Sequence, residues 1–253
     1  MGRSVVITSG KGGAGKTSLT AGVASCLAAL GHSVACVDAD VGLRNLDLAL
    51  GLQDRAVFDF SDVLYDRAEL SDALVEHPDI KGLFLLAAPL GASAGSIDRG
   101  AFAALISELA GTHDFVFVDS MAGVDEGFSL AAGACESAIV VSTPDRLSMR
   151  DATLCAERLT GQSPAHIVVN RVKPKLIRLG HAPTIDELMD GTGLPLLGVV
   201  PEDEMVIAAQ NHGLPIILVC RSGAAVAYLD IAERMLGKKR PLPRRIRQWS
   251  VDV

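Results

Sequence analysis

Residues Ser9 to Ser18 read SGKGGAGKTS and follow directly on the apolar run SVVIT. Gly10, four intervening residues, Gly15, Lys16 and Thr17 satisfy G-x-x-x-x-G-K-[ST], a spacing whose chemistry is the grip on a nucleoside polyphosphate. Gly10, Gly12, Gly13 and Gly15 let the backbone bend through positive φ, so that successive N–H groups of the loop, which also holds Lys11 and Ala14, turn inward at phosphate oxygens. Lys16 is placed to neutralise the β- and γ-phosphates. The Thr17 hydroxyl, with Ser18 next to it, would ligate Mg2+ at the positive end of a helix expected from about Thr17 to Leu30. An ordinary turn has no use for four glycines and two lysines within seven residues. Lys16 already serves one nucleotide, so Lys11 is either a solvated bystander or a group that reaches a phosphate from elsewhere.

Short β-branched runs must carry this loop and whatever acids complete it. SVVIT, HSVACVD, KGLFLLAA, FVFVDS, SAIVVST, HIVVN and PLLGVVP alternate with longer helical patterns and are apolar almost throughout. Strands of that kind lie in a parallel sheet covered by helices on both faces. The expected fold is therefore α/β, a P-loop NTPase with three α/β/α layers and a mostly parallel central sheet. With 253 residues and 49% apolar composition, the chain can bury one sizeable core. A net charge of −7 argues against a surface built as a whole to grip nucleic acid. Cys26, Cys36, Cys135, Cys155 and Cys220 are odd in number, lack C-x-x-C spacing and read as reduced core residues of a cytosolic protein. No apolar run suits a signal peptide or a spanning helix. Composition changes near Gly237, where GKKRPLPRRIRQWSVDV brings six basic residues and one acid, so the expected division is an ATPase domain over 1–237 and a basic tail over 238–253.

Lys11 within K-G-G-x-G-K-T resembles the signature of the MinD/ParA family of deviant Walker A ATPases. The resemblance implies that this lysine crosses a homodimer interface to the partner's nucleotide, so that ATP holds the dimer together. It extends from about Arg3 to Gly237 and is closest to the family's septum-positioning branch, through VDADVGLRNLDLALGL and GLPIILV. On that likeness Asp40 orients the attacking water, Asp38 acts on the Mg2+ hydration shell, and Asp119 in FVFVDSMAG holds Mg2+ through water. Met121 stands where the family more often has proline. Asn170 and Arg171 in VVNRV, with Pro201 and Glu202 in VVPEDEMV, match the base-contacting segments; the Asn170 amide can meet an adenine edge as donor and acceptor. Arg44 and Asn45, and Arg150 and Asp151 in TPDRLSMRDA, match partner-binding positions.

The same resemblance implies an ATP-bound dimer that recruits a MinC-like division inhibitor and is switched off by a MinE-like or other activator. Related readings are a regulator of flagellar number and a ParA-type DNA-segregation ATPase; the acidic balance disfavours nucleic acid, and a metal-cluster carrier would need a C-x-x-C. In the tail, Ile246, Trp249 and Val253 share one helical side, with Arg244, Arg245 and Arg247 mainly on the other. Each arginine near an anionic leaflet contributes ~1 kcal/mol, yet a helix under ~12 residues is marginal in water. Two tails joined in a dimer would bind where one does not, which places the protein in the cytoplasm and on the inner membrane face when ATP is bound.

Overall fold

A computed structural model describes residues 1–161 and 163–242; the expected membrane contacts Arg244, Arg245, Ile246, Arg247 and Trp249 lie outside the described residues. β1 (Arg3–Thr8) is followed by α1 (Lys16–Ala29), β2 (Val34–Ala39), the short helices α2 (Leu46–Leu50), α3 (Phe60–Leu64) and α4 (Leu70–Ala73), and the strands β3 (Val75–Glu76) and β4 (Leu83–Leu86). A 3-10 turn at Ala94–Ser96 leads to α5 (Arg99–Thr112), β5 (Phe115–Ser120), α6 (Glu126–Gly133), β6 (Ser137–Ser142), α7 (Arg146–Leu159) and β7 (Ala165–Val172). Then come α8 (Pro174–Arg178), α9 (Ile185–Thr192), β8 (Leu196–Pro201), α10 (Glu204–Asn211), α11 (Ile216–Val219) and α12 (Ala224–Met235).

The sheet order is β3-β4-β2-β5-β1-β6-β7-β8, parallel except for β3 against β4. All seven strands expected from the apolar runs are present. β3 was not expected, because two residues carry no periodicity; it exists only by pairing with β4. Apart from the two-residue edge strand β3, alternate strand residues face opposite helical layers, and both faces are largely buried. Val5, Ile7, Cys36, Phe117 and Val141 join one core, and Val6, Val37, Val118 and Val140 join the other. Each such side chain contributes about 1.5–3 kcal/mol on burial, which explains why the strands read as continuous apolar runs. Cys26, Cys36, Cys135 and Cys155 are buried and unpaired, and Cys220 is half-exposed. Among the described residues no helix is long and apolar enough to cross a membrane.

β1, β2 and β5 are in register at their carboxyl ends, where Ile7 and Asp38 both pair with Asp119. That register is what brings the phosphate loop after β1 beside the acids of β2 and β5. At the far end of α12, Lys238 to Leu242 remain bound to the body: Arg234 donates to the carbonyls of Arg240 (3.1 Å) and Leu197 (3.1 Å), and Leu242 packs against the cluster under α8 and α9.

α1 is buried on nearly all sides, and its polar residues bond backward, Thr20 to the Lys16 carbonyl and Ser25 to that of Ala21. Gly22 lies where α12 crosses, and a Cβ there would run into the Tyr228 ring, which is 1% exposed. Alanine gains helix propensity worth about 1 kcal/mol, but overpacking a fixed ring costs about 1–3 kcal/mol. Gly22→Ala should therefore destabilise the fold by up to about 2 kcal/mol in urea unfolding; a stabilising result would show that α12 yields freely.

Candidate functional site

The phosphate loop owes its shape to left-handed backbone at Gly13 (φ 79°) and Gly15 (φ 91°). Gly15 precedes α1 without a side-chain cap, and the first turn of α1 has no acid, so its N–H groups remain available to an anion. The loop is walled closely. A Cβ on Gly10 would meet Asp151 of α7, and one on Gly15 would meet the Asn170 amide, which donates to the Ala14 carbonyl at 2.8 Å. Lys16 is 8% exposed and donates to Ser9 Oγ at 3.1 Å, while the Ser9 hydroxyl donates to the Lys11 carbonyl at 2.8 Å. Ser9 therefore holds the lysine inside its own loop, a role the sequence pattern does not announce.

Asp38 and Asp119 are buried side by side on adjacent strands. Burial pushes Asp119 up to about 7, with the Asp38 charge adding to the rise and the Thr17 hydroxyl and Lys16 opposing it. Burial likewise raises Asp38 to about 6, against hydrogen bonds from the Leu46 and Asp40 amides. Those bonds (3.0 and 2.9 Å) occupy both Asp38 oxygens and pin the ends of the loop from Asp40 to Leu46. Each oxygen keeps a second lone pair, but Asp38 is first a clamp on that loop. Burial also raises half-buried Asp40, opposed by Lys16 and by a hydrogen bond from Asn45. Two buried carboxylates with one lysine nearby are short of positive charge, and a divalent cation fits that deficit.

Lys11 turns out of the loop to Asp145, at 3.0 and 3.1 Å from the two carboxylate oxygens. Asp145 also caps α7 through Ser148 and accepts from Thr143. Burial raises its pKa, but these three partners together hold it below the usual carboxylate range. At the other end of the site, Arg171 adopts φ 54° and donates to the Gly13 carbonyl and to Glu202, and Glu202 also pairs with Lys173 at 2.6 Å.

An open cleft of about 1540 Å³ runs past Lys16, Thr17, Asp40, Asn170, Pro201 and Glu202. Most of the loop and base-contact residues expected from sequence thus line one space. Met121 also lines it, packed against Gly127, where a Cβ would run into the methionine side chain. Arg150 is exposed on α7 and Asp151 half-buried against the loop. Arg44 faces inward, bonded to Asp47 (2.8 Å) and the Ala56 carbonyl (2.7 Å), while Asn45 is exposed. Gln210, which no motif marked, lines the cleft and donates to Ser18 at 3.0 Å.

The acid pair sets a pH dependence. With Asp119 near 7 and Asp38 near 6, above the ordinary 3.8, the metal-free folded state binds more protons than the unfolded chain between about pH 4 and 7. Its stability falls as pH rises through that window, and a cation removes the loss. The rise in melting temperature given by Mg2+ with ADP should be larger at about pH 8 than at about pH 6, and Asp119→Asn should flatten the difference. Equal gains for the parent at both pH values would contradict this account.

The family model described as the CobQ/CobB/MinD/ParA nucleotide binding domain matches residues 5–216. The septum site-determining protein MinD of Bacillus subtilis is 38% identical over 246 residues, which cover 96% of this chain and 92% of that protein. Among solved structures, the MinC:MinD cell division complex of Aquifex aeolicus gives a TM-score of 0.88 at 36% identity, over 96% of this chain and 98% of that one. MinD of Pyrococcus horikoshii complexed with Mg-ADP gives 0.84 at 29% identity, over 93% and 96%. The glycine loop, the in-register acids and the eight-stranded sheet agree with these likenesses: the chain belongs to the CobQ/CobB/MinD/ParA nucleotide-binding family and, within it, to the MinD proteins.

Proposed function

We propose that the chain is a Mg2+-dependent ATPase switch that dimerises around ATP and helps place the division site. The carrying observation is the division of labour between two lysines. Lys16 is folded into the phosphate loop beside Ser9, whereas Lys11 points to Asp145 in a smaller pocket of about 410 Å³ that shares Gly12, Gly13, Arg171 and Glu202 with the cleft. The Lys11–Asp145 pair has side chains 34% and 45% exposed, so it is worth no more than ~1 kcal/mol and opens readily for a partner's phosphate. A cleft larger than the roughly 300–1,000 Å³ of an enclosed small-molecule site also suits a site completed by a second copy.

Mg2+, held through Thr17 and Asp119, would supply positive charge to the phosphate oxygens. The chain does the rest. The N-terminus of α1 and Lys16 bind the phosphates, Asp38 holds the switch loop, and Asp40, beside Asn45 and at the cleft wall, orients water. Asn170, Arg171, Pro201 and Glu202 form the base end. The likeness to the MinC:MinD complex supports a MinC-like partner. Leu147, Arg150, Leu154 and Arg158 form an exposed stripe on α7 at helical spacing and suit such a partner or a MinE-like activator. The ATP dimer attaches to anionic lipid through the tail residues Arg244 to Trp249, from a root held at Leu242.

Lys16→Ala should weaken ATP binding by about tenfold or more, since a charge-assisted bond is worth about 1.5–3 kcal/mol. Lys11→Ala should leave monomer binding within a few-fold while abolishing the ATP-dependent dimer. Sedimentation with ATP checks both, and a fully dimeric Lys11→Ala protein would sink the proposal.

Asp40→Ala should bind ATP and dimerise yet turn over about 10²-fold more slowly or worse, because the lost carboxylate acts on the chemical step. Phosphate release near the parent rate would remove Asp40 from this role.

A further inference from the structure

The base end of the cleft depends on a carboxylate that neither motif nor family likeness marks. Asp203 follows Pro201 and Glu202, and its two oxygens serve two different helices. One accepts from the Met205 amide at 3.0 Å and caps α10; the other accepts from the Ala224 amide at 2.9 Å and caps α12. α12 cannot cap itself, because the residue before it is Gly223, and a Cβ there would collide with the Asp203 carboxylate. The sequence therefore leaves a gap at Gly223 that a side chain twenty residues earlier fills.

Both helices wall the nucleotide cleft. α10 brings Gln210 to the cleft and to Ser18 in the first turn of α1, and α12 brings Tyr228 to the cleft and against Gly22 of α1. The base-contact loop is itself tied down, with the Glu202 amide donating to Val172 and its carboxylate pairing with Arg171 and Lys173. A single side chain thus fixes the relative placement of three walls: the Pro201–Glu202 loop, α10 and α12. The opposite wall, the Gly10–Thr17 loop, is built by its own glycines, Ser9 and Asn170 and makes no contact with Asp203 among the bonds described.

We propose that Asp203 is the positioning residue of the base and ribose end of the site, acting through the N-termini of α10 and α12 on nucleotide affinity and not on the phosphate chemistry. The proposal rests on the reading of the cleft as an ATP site and goes further, by assigning affinity for the nucleoside part to a cleft residue whose two carboxylate oxygens are both engaged by helix amides. A residue with this role should affect a nucleoside triphosphate and spare its phosphate chain.

Calorimetric titration with Mg-ATP and with Mg-tripolyphosphate separates the two. Asp203→Ala should bind ATP about five- to tenfold more weakly and tripolyphosphate within twofold of the parent, with turnover at saturating ATP unchanged. Asp203→Asn, whose amide oxygen can still cap one helix, should fall between. Gly223→Ala, where a Cβ would collide with the carboxylate and the backbone stands at φ 56°, should lose at least as much ATP affinity as Asp203→Ala, and Asp203→Asn is the variant that guards against a lost fold. Equal loss for ATP and tripolyphosphate would mean a general loss of structure and would overturn the proposal, as would ATP affinity within twofold of the parent in both alanine variants. A parent protein that binds ATP no better than tripolyphosphate would instead overturn the reading of the cleft itself, and the proposal with it.

Discussion

Two carboxylates, Asp38 and Asp119, sit buried and in register at the ends of neighbouring parallel strands, and the site is arranged around their unbalanced charge. A parallel sheet forces this proximity, since strands entering from one side all end on the other. Burying two like charges costs several kcal/mol unless something cancels them. Lys16, the N-terminus of α1, the Thr17 hydroxyl and the amides of Asp40 and Leu46 each offset part of that cost. The remainder is a charge deficit of the kind a divalent cation would balance. The same carboxylate ties the site to the chain beside it, because the Asp38 oxygens that face the Asp119 charge also pin the loop from Asp40 to Leu46.

Around this centre, buried contacts fix the groups that must not move, and exposed ones hold the groups that must. Lys16 is locked by Ser9 inside the loop, and Asn170 clamps Ala14. Lys11 and Asp145, by contrast, meet where water screens them. An exposed pair of this kind orients a side chain without committing it, which suits a lysine that changes partner. Met121 shows how local substitutions are absorbed: the long side chain takes the space left by Gly127 at the start of α6.

The helices on the α1 side transmit order from the site to the chain beyond it. α12 begins at Asp203, packs through Tyr228 on Gly22 of α1, and ends in Arg234, whose guanidinium grips the carbonyls of Leu197 and Arg240. The expected boundary at Gly237 marks a change of composition, whereas the packing keeps hold of the chain through Leu242. Composition reports solubility and charge; a root is fixed by a few specific bonds that composition does not register.

The sequence by itself determined the phosphate loop, the seven main strands and the three-layer fold, because each follows from demands within a few residues, glycines at positive φ and apolar runs buried on both faces, while the three acids were marked by the family resemblance. The likeness to the MinD/ParA family, borne out by the comparisons, rested on the same local signals. Tertiary structure alone decided that Lys11 meets Asp145, 134 residues away, that Asp38 clamps a loop, that Arg44 turns inward, and that Asp203 caps two helices. β3 and the role of Gln210 belong with these. Such contacts join segments with no shared periodicity, and their geometry exists only once the sheet order has brought distant loops to one edge, where each polar group takes the partner that burial leaves it.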